Sequence, residues 1–161
     1  MTASAQTYKL PGALWRLQFS ATALRTMRAR VQRKPGTSES VGQLYSRDLT
    51  TDCIVIEEAS VLTPMWSARV RVQFDPRRAD AERDKKFESG LHCAGLWHTH
   101  PEALPIPSPD DKALAREHAL SAKGQLTGLV FVIVGTQPIP AGLRVWVDDG
   151  EALHLAERLP A

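Results

Sequence analysis

The chain is poor in cysteine, in long apolar runs and in net charge. Its two cysteines among 161 residues, Cys53 and Cys93, are too few for the disulfide framework of a small secreted protein, so a reducing cytoplasm is the expected compartment. The longest purely apolar run covers residues 129–134, whereas a membrane-spanning helix needs roughly 20 apolar residues. Residues 1–19 lack the apolar centre of a signal peptide, so we expect neither a membrane span nor a secretory leader.

Positive charge is concentrated in one segment although the formal net charge is only +2. Such a small net charge gives no overall field typical of a nucleic-acid-binding protein. Apolar residues at helical spacing predict an amphipathic, basic helix over residues 21–34, ended by Pro35 and Gly36. A solvated helix face is the simplest interpretation, and a docking surface for an acidic protein is the next. Nucleic acid is disfavoured because no aromatic residues alternate with the cations, which are Arg25, Arg28, Arg30, Arg33 and Lys34.

The composition is that of an ordinary globular protein, with a hydrophobic fraction of 43% and a charged fraction of 24%. The length suits a single domain, which we take as residues 1–161. Predicted strands and helices are mixed along the chain, which favours an α+β fold, an α/β/α-like sandwich with a central mixed β-sheet flanked by helices. The predicted strands are 14–19, 41–45, 53–57, 68–74, 96–100, 126–134 and 143–147, and the predicted helices are 21–34, 77–88, 109–122 and a short final one at 151–159.

Two histidines and an aspartate have a spacing that suits a metal ion. Alternate side chains of a strand point to the same face, so His98 and His100 are expected to lie side by side. After a proline-rich loop, Asp111 falls in the first turn of the next helix. Two imidazoles and a carboxylate suit Zn²⁺, and three protein ligands leave a fourth position for water, as in catalytic zinc sites. Each of these features also has a simpler explanation. An isolated His-x-His pattern often has no metal role, and Ser108 and Asp111 also make a good helix start.

The spacing of these residues resembles a known motif. The pattern His98-x-His100-Pro, then six residues, then Ser108-x-x-Asp111 is similar to the JAMM motif of the JAB/MPN metalloproteases, the Mov34/MPN/PAD-1 family. That family places a glutamate upstream in a Glu-x-x-Gly-x-Leu context, and residues 39–44 have this form, beginning at Glu39. The resemblance covers most of the chain and implies the MPN fold, which is cytidine-deaminase-like.

The resemblance also implies a role for each residue of the motif. His98, His100 and Asp111 would bind one Zn²⁺ per chain. Glu39 would act as the general base and proton shuttle, and Ser108 would stabilise the oxyanion of the tetrahedral intermediate. One departure is Ser46, where many members have glycine, and we expect this to affect local packing more than chemistry.

Members of this family typically hydrolyse isopeptide or peptide bonds at the C-terminus of ubiquitin or ubiquitin-like proteins. The chain looks like a stand-alone prokaryotic deubiquitinase-like member, which implies an antiphage ubiquitination-like pathway of the CBASS or Bil type. The implied partners are a ubiquitin-like protein or its conjugate and E1-like and E2-like enzymes. Two alternatives are a JAMM peptidase that processes a sulfur-carrier protein and a non-catalytic MPN interaction scaffold.

The charged segment 77–88 precedes the histidine-bearing strand, where the family inserts a segment that contacts substrate. We hypothesise that Phe87 and the charges around it help to hold the C-terminal tail, although an exposed helix without a partner is an equally good interpretation. Cys93 lies five residues before His98, yet nothing in the sequence orients the two as a catalytic pair.

Overall fold

The computed structural model describes residues 4–68 and 71–160. Within these residues the chain forms three helices and twelve strands, most of them short. The helices are α1 (Ala21–Arg28), α2 (Pro76–Glu88) and α3 (Pro109–Ser121). The strands are β1 (Gln6–Lys9), β2 (Arg16–Phe19), β3 (Val41–Ser46), β4 (Cys53–Ile56), β5 (Glu58–Ala59), β6 (Pro64–Ala68), β7 (Arg71–Phe74), β8 (His92–Thr99), β9 (Leu129–Val134), β10 (Leu143–Asp148), β11 (Leu153–Leu155) and β12 (Glu157–Arg158).

A six-stranded mixed sheet forms the centre, with the strand order β11-β10-β9-β8-β3-β5. Its middle strands β8 and β9 are parallel, and every other neighbouring pair is antiparallel. Parallel neighbours need a crossover, and α3 supplies it. Strand β9 is buried along its whole length, as its unbroken apolar sequence predicts for a strand covered on both faces.

Helices cover both faces of this sheet. On one face, Leu24 and Met27 of α1 pack with Trp97 of β8 in the largest apolar cluster. On the opposite face, Ala115 of α3 packs with Leu96 of β8 in a second cluster. The amphipathic faces of the helices thus meet alternate residues of the same strand, and the α/β/α-like sandwich predicted from the sequence is confirmed.

A second, four-stranded mixed sheet has the order β12-β1-β2-β4 and packs on the α1 side of the molecule. Strands β6 and β7 pair with each other as a hairpin. The strand predicted over 68–74 corresponds to β7 and the last residue of β6, and residues 69 and 70 lie outside the described part of the chain.

The helix predicted over 21–34 is too long, because α1 ends at Arg28. Its N-terminus is as expected, since the Ser20 hydroxyl accepts a hydrogen bond from the Ala23 N–H at 3.0 Å. Beyond the helix, the buried Gln32 side chain donates from Nε2 to the Thr37 carbonyl at 2.7 Å. The apolar spacing continues past Arg28, but the chain turns here, and the hydrogen bond between Gln32 and Thr37 forms in place of further helical hydrogen bonds.

The final helix predicted at 151–159 is wrong, because these residues form β11 and β12. β11 pairs antiparallel with β10, and β12 pairs with β1, a strand that the sequence analysis did not predict. Ala156 lies between the two short strands and is buried in the main core. Pairing with available sheet edges outweighs the weak helical preference of this segment.

None of the described helices is both long enough and apolar enough to cross a membrane.

Candidate active site

The two motif histidines lie at the carboxyl end of β8, in the centre of the main sheet. His98 is paired with Val41 of β3 on one side and with Ile133 of β9 on the other. His100 follows the strand, and its N–H donates to the Val134 carbonyl at 2.9 Å. Both imidazoles are about 5% exposed or less. The sheet therefore fixes the backbone of both side chains from two directions.

Asp111 reaches the same place from the N-terminus of α3. The helix begins with a reciprocal capping box, in which the Ser108 hydroxyl accepts from the Asp111 N–H at 3.1 Å and the Ser108 N–H donates to Asp111 Oδ2 at 2.8 Å. Pro109 occupies the first helical position, where its missing N–H is not needed. The cap therefore orients the carboxylate as well as starting the helix.

The three side chains converge on one point. Asp111 Oδ1 lies 3.1 Å from His98 Nε2, Asp111 Oδ2 lies 3.0 Å from His100 Nε2, and the two Nε2 atoms are 3.0 Å apart. Two nitrogen ligands of a tetrahedral zinc site, with bonds of about 2.0–2.1 Å, are separated by about 3.3 Å. The donor set and its spacing fit one Zn²⁺ ion with a fourth position open.

The charges at this point are strongly coupled. Burial favours the neutral form of His98 and lowers its pKa. Burial would raise the pKa of Asp111, but hydrogen bonds with His100 and His98 outweigh it and hold that pKa below its usual range. An ionised carboxylate beside a neutral imidazole is the protonation pattern that metal ligation requires.

Glu39 stands beside this cluster, just before β3. The Ser40 N–H donates to Thr99 Oγ1 at 2.9 Å, and the Thr99 N–H donates to the Ser40 carbonyl at 3.0 Å. Because Ser40 pairs with Thr99 in this way, the antiparallel register continues past Val41 and brings Glu39 level with His100. The sequence separation between Ser40 and Thr99 is 59 residues, so only the sheet brings the two parts together.

The environment of the Glu39 carboxylate is unusual for a glutamate. The residue is 5% exposed, and its Oε1 atom is buried without a hydrogen-bond partner among the described residues. Burial raises the pKa of Glu39 to about 7; His100 opposes this rise, and the negative charges of Asp111 and Glu102 add to it. A carboxyl group with a pKa near neutrality, next to three metal-type ligands, is suited to proton transfer.

Ser108 is able to act as a hydrogen-bond donor in addition to capping α3. Its Oγ atom accepts from the Asp111 N–H, which leaves the hydroxyl proton free to donate elsewhere. The residue is only partly buried and is next to the cluster through Asp111.

Other residues considered in the sequence do not join the site. Phe87 is 66% exposed and packs edge-on against His92, at the opposite end of β8 from His98. The N-terminal half of α2 is the part near the site, because Ala79 packs with Val41. Cys93 is close to Gln43 Oε1, at 3.7 Å, rather than to a ligand histidine.

Comparison with known proteins identifies the family of this chain. The family model described as prokaryotic homologs of the JAB domain matches residues 20–148, which hold all five candidate site residues. The chain belongs to this family. The match includes α1 to β10 and excludes the terminal strands β1, β2, β11 and β12.

Two curated relatives of this JAB-family chain carry the same name, CD-NTase/cGAS isopeptidase. The protein from Enterobacter hormaechei subsp. hoffmannii is 27% identical over 135 residues, which cover 82% of this chain and 74% of the relative. The protein from Pseudomonas aeruginosa is 34% identical over 112 residues, which cover 66% of this chain and 68% of the relative. Among solved structures, protein DSY2949 from Desulfitobacterium hafniense has a TM-score of 0.61 at 20% identity and covers 82% of this chain and 83% of its own, so the likeness is one of fold.

Sequence reasoning missed two contacts of the site. One is the Ser40–Thr99 pair, and the other is Glu102, whose Oε1 atom lies 3.4 Å from His100 Nδ1. A usable signal for the first was the alignment of the strands that follow Glu39 and precede His100. Nothing in the sequence distinguished Glu102 from other loop glutamates.

Proposed function

We propose that this chain is a zinc-dependent JAMM isopeptidase that hydrolyses the bond between the C-terminus of a ubiquitin-like protein and a lysine of another protein. The observation that carries the proposal is the convergence of His98 Nε2, His100 Nε2 and an Asp111 carboxylate oxygen within 4.8 Å, beside the buried carboxylate of Glu39. The names of the two relatives support a CD-NTase as the conjugated protein. We also propose that it acts in a cytoplasmic antiphage pathway of the CBASS type, with E1-like and E2-like partners.

In this mechanism His98, His100 and Asp111 would hold the ion. Bound zinc supplies Lewis acidity and lowers the pKa of water from about 15.7 to about 7. His98 and His100 are buried and Asp111 is partly buried, so competing water has limited access to the three ligands. The capping hydrogen bonds of Ser108 keep Asp111 from rotating out of the ligand set.

Glu39 would perform the proton transfers. Its unpartnered Oε1 takes a proton from the attacking water, whose oxygen forms a bond with the carbonyl carbon of the amide. The same carboxyl group then gives that proton to the amide nitrogen as the C–N bond breaks, so that a carboxylate and a free amine leave. Ser108 would donate its hydroxyl hydrogen bond to the developing oxyanion, a contact worth roughly 3–4 kcal/mol in comparable sites.

The decisive experiment supplies the purified chain with a ubiquitin-like protein joined by an isopeptide bond to a lysine of a CD-NTase, and follows the products by intact-protein mass spectrometry. Wild type should release the ubiquitin-like protein with a free C-terminal carboxylate and the CD-NTase with a free lysine amine. Glu39→Gln should keep zinc, but its rate of cleavage should fall by on the order of 10²–10⁴-fold. A linear fusion of the same two proteins is run in parallel. Cleavage of the linear fusion alone would favour a precursor-processing peptidase, and equal inertness of wild type and variant would favour a scaffold.

A further inference from the structure

The segment after His100 is fixed in place by the turn between β9 and β10. The Thr136 N–H donates to the Glu102 carbonyl at 2.8 Å, and the Gln137 N–H donates to the Ala103 carbonyl at 3.3 Å. Gly135 lies so close that an added Cβ would stand 2.6 Å from both of those carbonyl oxygens. The backbone of Glu102 is therefore held rigidly, and only its side chain is free to move.

His100 has one ring nitrogen turned toward the cluster and one turned away from it. Nε2 faces Asp111 and His98, whereas Nδ1 is buried and makes no hydrogen bond to any residue that the structure describes. The nearest carboxylate oxygen is Oε1 of Glu102, at 3.4 Å. That distance is an ion-pair contact slightly longer than a good hydrogen bond, and the Glu102 side chain is half exposed, so it is able to approach.

We propose that Glu102 is a positioning residue for His100: its carboxylate accepts the Nδ1–H hydrogen bond that holds the imidazole with Nε2 toward the metal. This inference rests on the metal site of the proposed function, but not on the substrate. Ligand histidines almost always donate their second ring N–H to a carboxylate or carbonyl, which fixes the tautomer and makes the coordinating nitrogen more basic. Apart from Glu102, no residue in the described part of the chain offers the buried Nδ1 an acceptor of this kind.

Position also explains why Glu102 suits the task better than other acids nearby. Asp111 already uses both oxygens on the two imidazoles and the Ser108 N–H. Glu39 lies beside His100 just before β3, and in the proposed function it must stay available for proton transfer. Glu102 has a half-exposed side chain and no other ion-pair partner among the described residues, so its carboxylate is available to Nδ1.

The test is the zinc affinity of wild type, Glu102→Ala and Glu102→Gln, measured by competition with a chromophoric chelator and without any substrate. Glu102→Ala should bind zinc about 10–100-fold more weakly, the range found when such supporting partners are removed. Glu102→Gln should keep most of the affinity, because its amide oxygen still accepts from Nδ1–H. Glu151→Ala, at an exposed glutamate outside the site, is the matched control and should bind like wild type.

Two further readouts separate positioning from other effects. The melting temperatures of the zinc-free proteins should agree, which shows that the variants fold. In the zinc-loaded wild type, two-bond nitrogen–proton NMR spectra should show His100 protonated at Nδ1. Equal loss of affinity in the alanine and glutamine variants would indicate a long-range charge effect and overturn the proposal, as would unchanged affinity in both. Intact zinc binding without isopeptidase activity would remove the proposed function and leave this inference standing.

Discussion

Ser40 and Thr99 are joined by two hydrogen bonds, one to the side chain and one to the backbone, at 2.9 and 3.0 Å. This pair is the only described hydrogen-bonded connection between the residues directly adjoining Glu39 and those adjoining His98 and His100. It sets how far the carboxylate of Glu39 stands from the candidate ligands. Thr99 is fully buried, so its hydroxyl has no competing interaction with solvent.

Thr99→Val should lower kcat while leaving zinc content near that of wild type. Valine keeps the shape of threonine but removes the acceptor for the Ser40 N–H, and a misplacement of about 1 Å in an active site costs roughly 100-fold in rate. Zinc per chain by mass spectrometry and kcat on the conjugate are the two measurements. Thr127→Val, at an exposed threonine, is the control. Loss of zinc together with activity would place Thr99 in the metal site rather than in the positioning of Glu39.

His100→Ala should abolish stoichiometric zinc binding, because it removes one of the three converging ligand atoms. His154→Ala is the matched control, since His154 lies near the surface and contacts Asp149 rather than the cluster. Metal content of proteins purified in parallel distinguishes the two. Wild type that stays free of metal after zinc is offered and the excess removed would contradict the ligand set.

The pKa of about 7 for Glu39 predicts a pH-dependent cost to stability. The folded protein holds this proton more tightly than the unfolded chain, whose glutamate has a pKa near 4.5. Stability from this group is therefore intact below pH ~4.5, falls as the pH rises toward 7, and is flat above it. In zinc-free protein, Glu39→Gln should raise the free energy of unfolding at pH 8 by on the order of a few kcal/mol and change it little at pH 4.5. Urea titrations at the two pH values measure this, and an equal effect at both would refute it.

The same pKa predicts the pH profile of cleavage. A general base must be ionised, and the positive charge of bound zinc favours ionisation of Glu39, so kcat/KM should rise with pH over a range below the zinc-free pKa of about 7 and then level off. In Glu39→Gln, the residual activity should no longer show this rise of kcat/KM with pH. An unchanged rise in the variant would assign the ionisation to another group.

Helix α2 is attached to the sheet through a partly buried polar network centred on Glu82. Its Oε1 atom accepts hydrogen bonds from Tyr45 Oη at 2.6 Å, Gln43 Nε2 at 3.1 Å and Ser60 Oγ. Glu82→Ala should destabilise the protein by about 2–4 kcal/mol, because it leaves several buried donors without an acceptor. Glu88→Ala, at an exposed position of the same helix, should change stability by less than about 0.5 kcal/mol. Urea denaturation compares them, and similar small effects would show that water replaces the carboxylate.

The basic segment that follows α1 leads directly to Glu39. Arg30, Arg33 and Lys34 are exposed, and a turn in which the Thr37 N–H donates to the Lys34 carbonyl at 3.2 Å shortens the path to the site. Replacing these three cations by serine should raise KM for a conjugate with an acidic surface and weaken its dependence on salt, with kcat unchanged. Neutralising three other exposed cations, Lys9, Arg16 and Lys123, is the control. Identical salt dependence in all proteins would leave the segment as a solvated surface.

Most helices and strands of the central sandwich could be predicted from the sequence, because the spacing of apolar residues indicates which face of each element is buried. Local geometry fixes the candidate ligands, so the sequence could predict that they converge. His98 and His100 alternate on a strand, and the helix start at Ser108 and Pro109 brings Asp111 close to them. The predictions that were wrong, the end of α1 and the final helix, concern segments whose structure depends on contacts outside the segment itself. The residues after Arg28 leave the helix because Gln32 finds an acceptor at Thr37, and the C-terminal residues become strands because β10 and β1 present free edges.

The three candidate ligands lie close together in the sequence, between the end of β8 and the start of α3. Glu39 is distant from them in the sequence: its neighbour Ser40 is 59 residues from Thr99, with which it pairs. Closing a short loop costs less chain entropy and happens earlier in folding than pairing distant strands. In the proposed function, the residues that hold the ion and the residue that transfers protons would thus come from separate stretches of polypeptide, and we expect the ligand loop to form first. If the proposed roles hold, a single substitution at position 39 during evolution would turn a hydrolase into a metal-binding protein with the same fold.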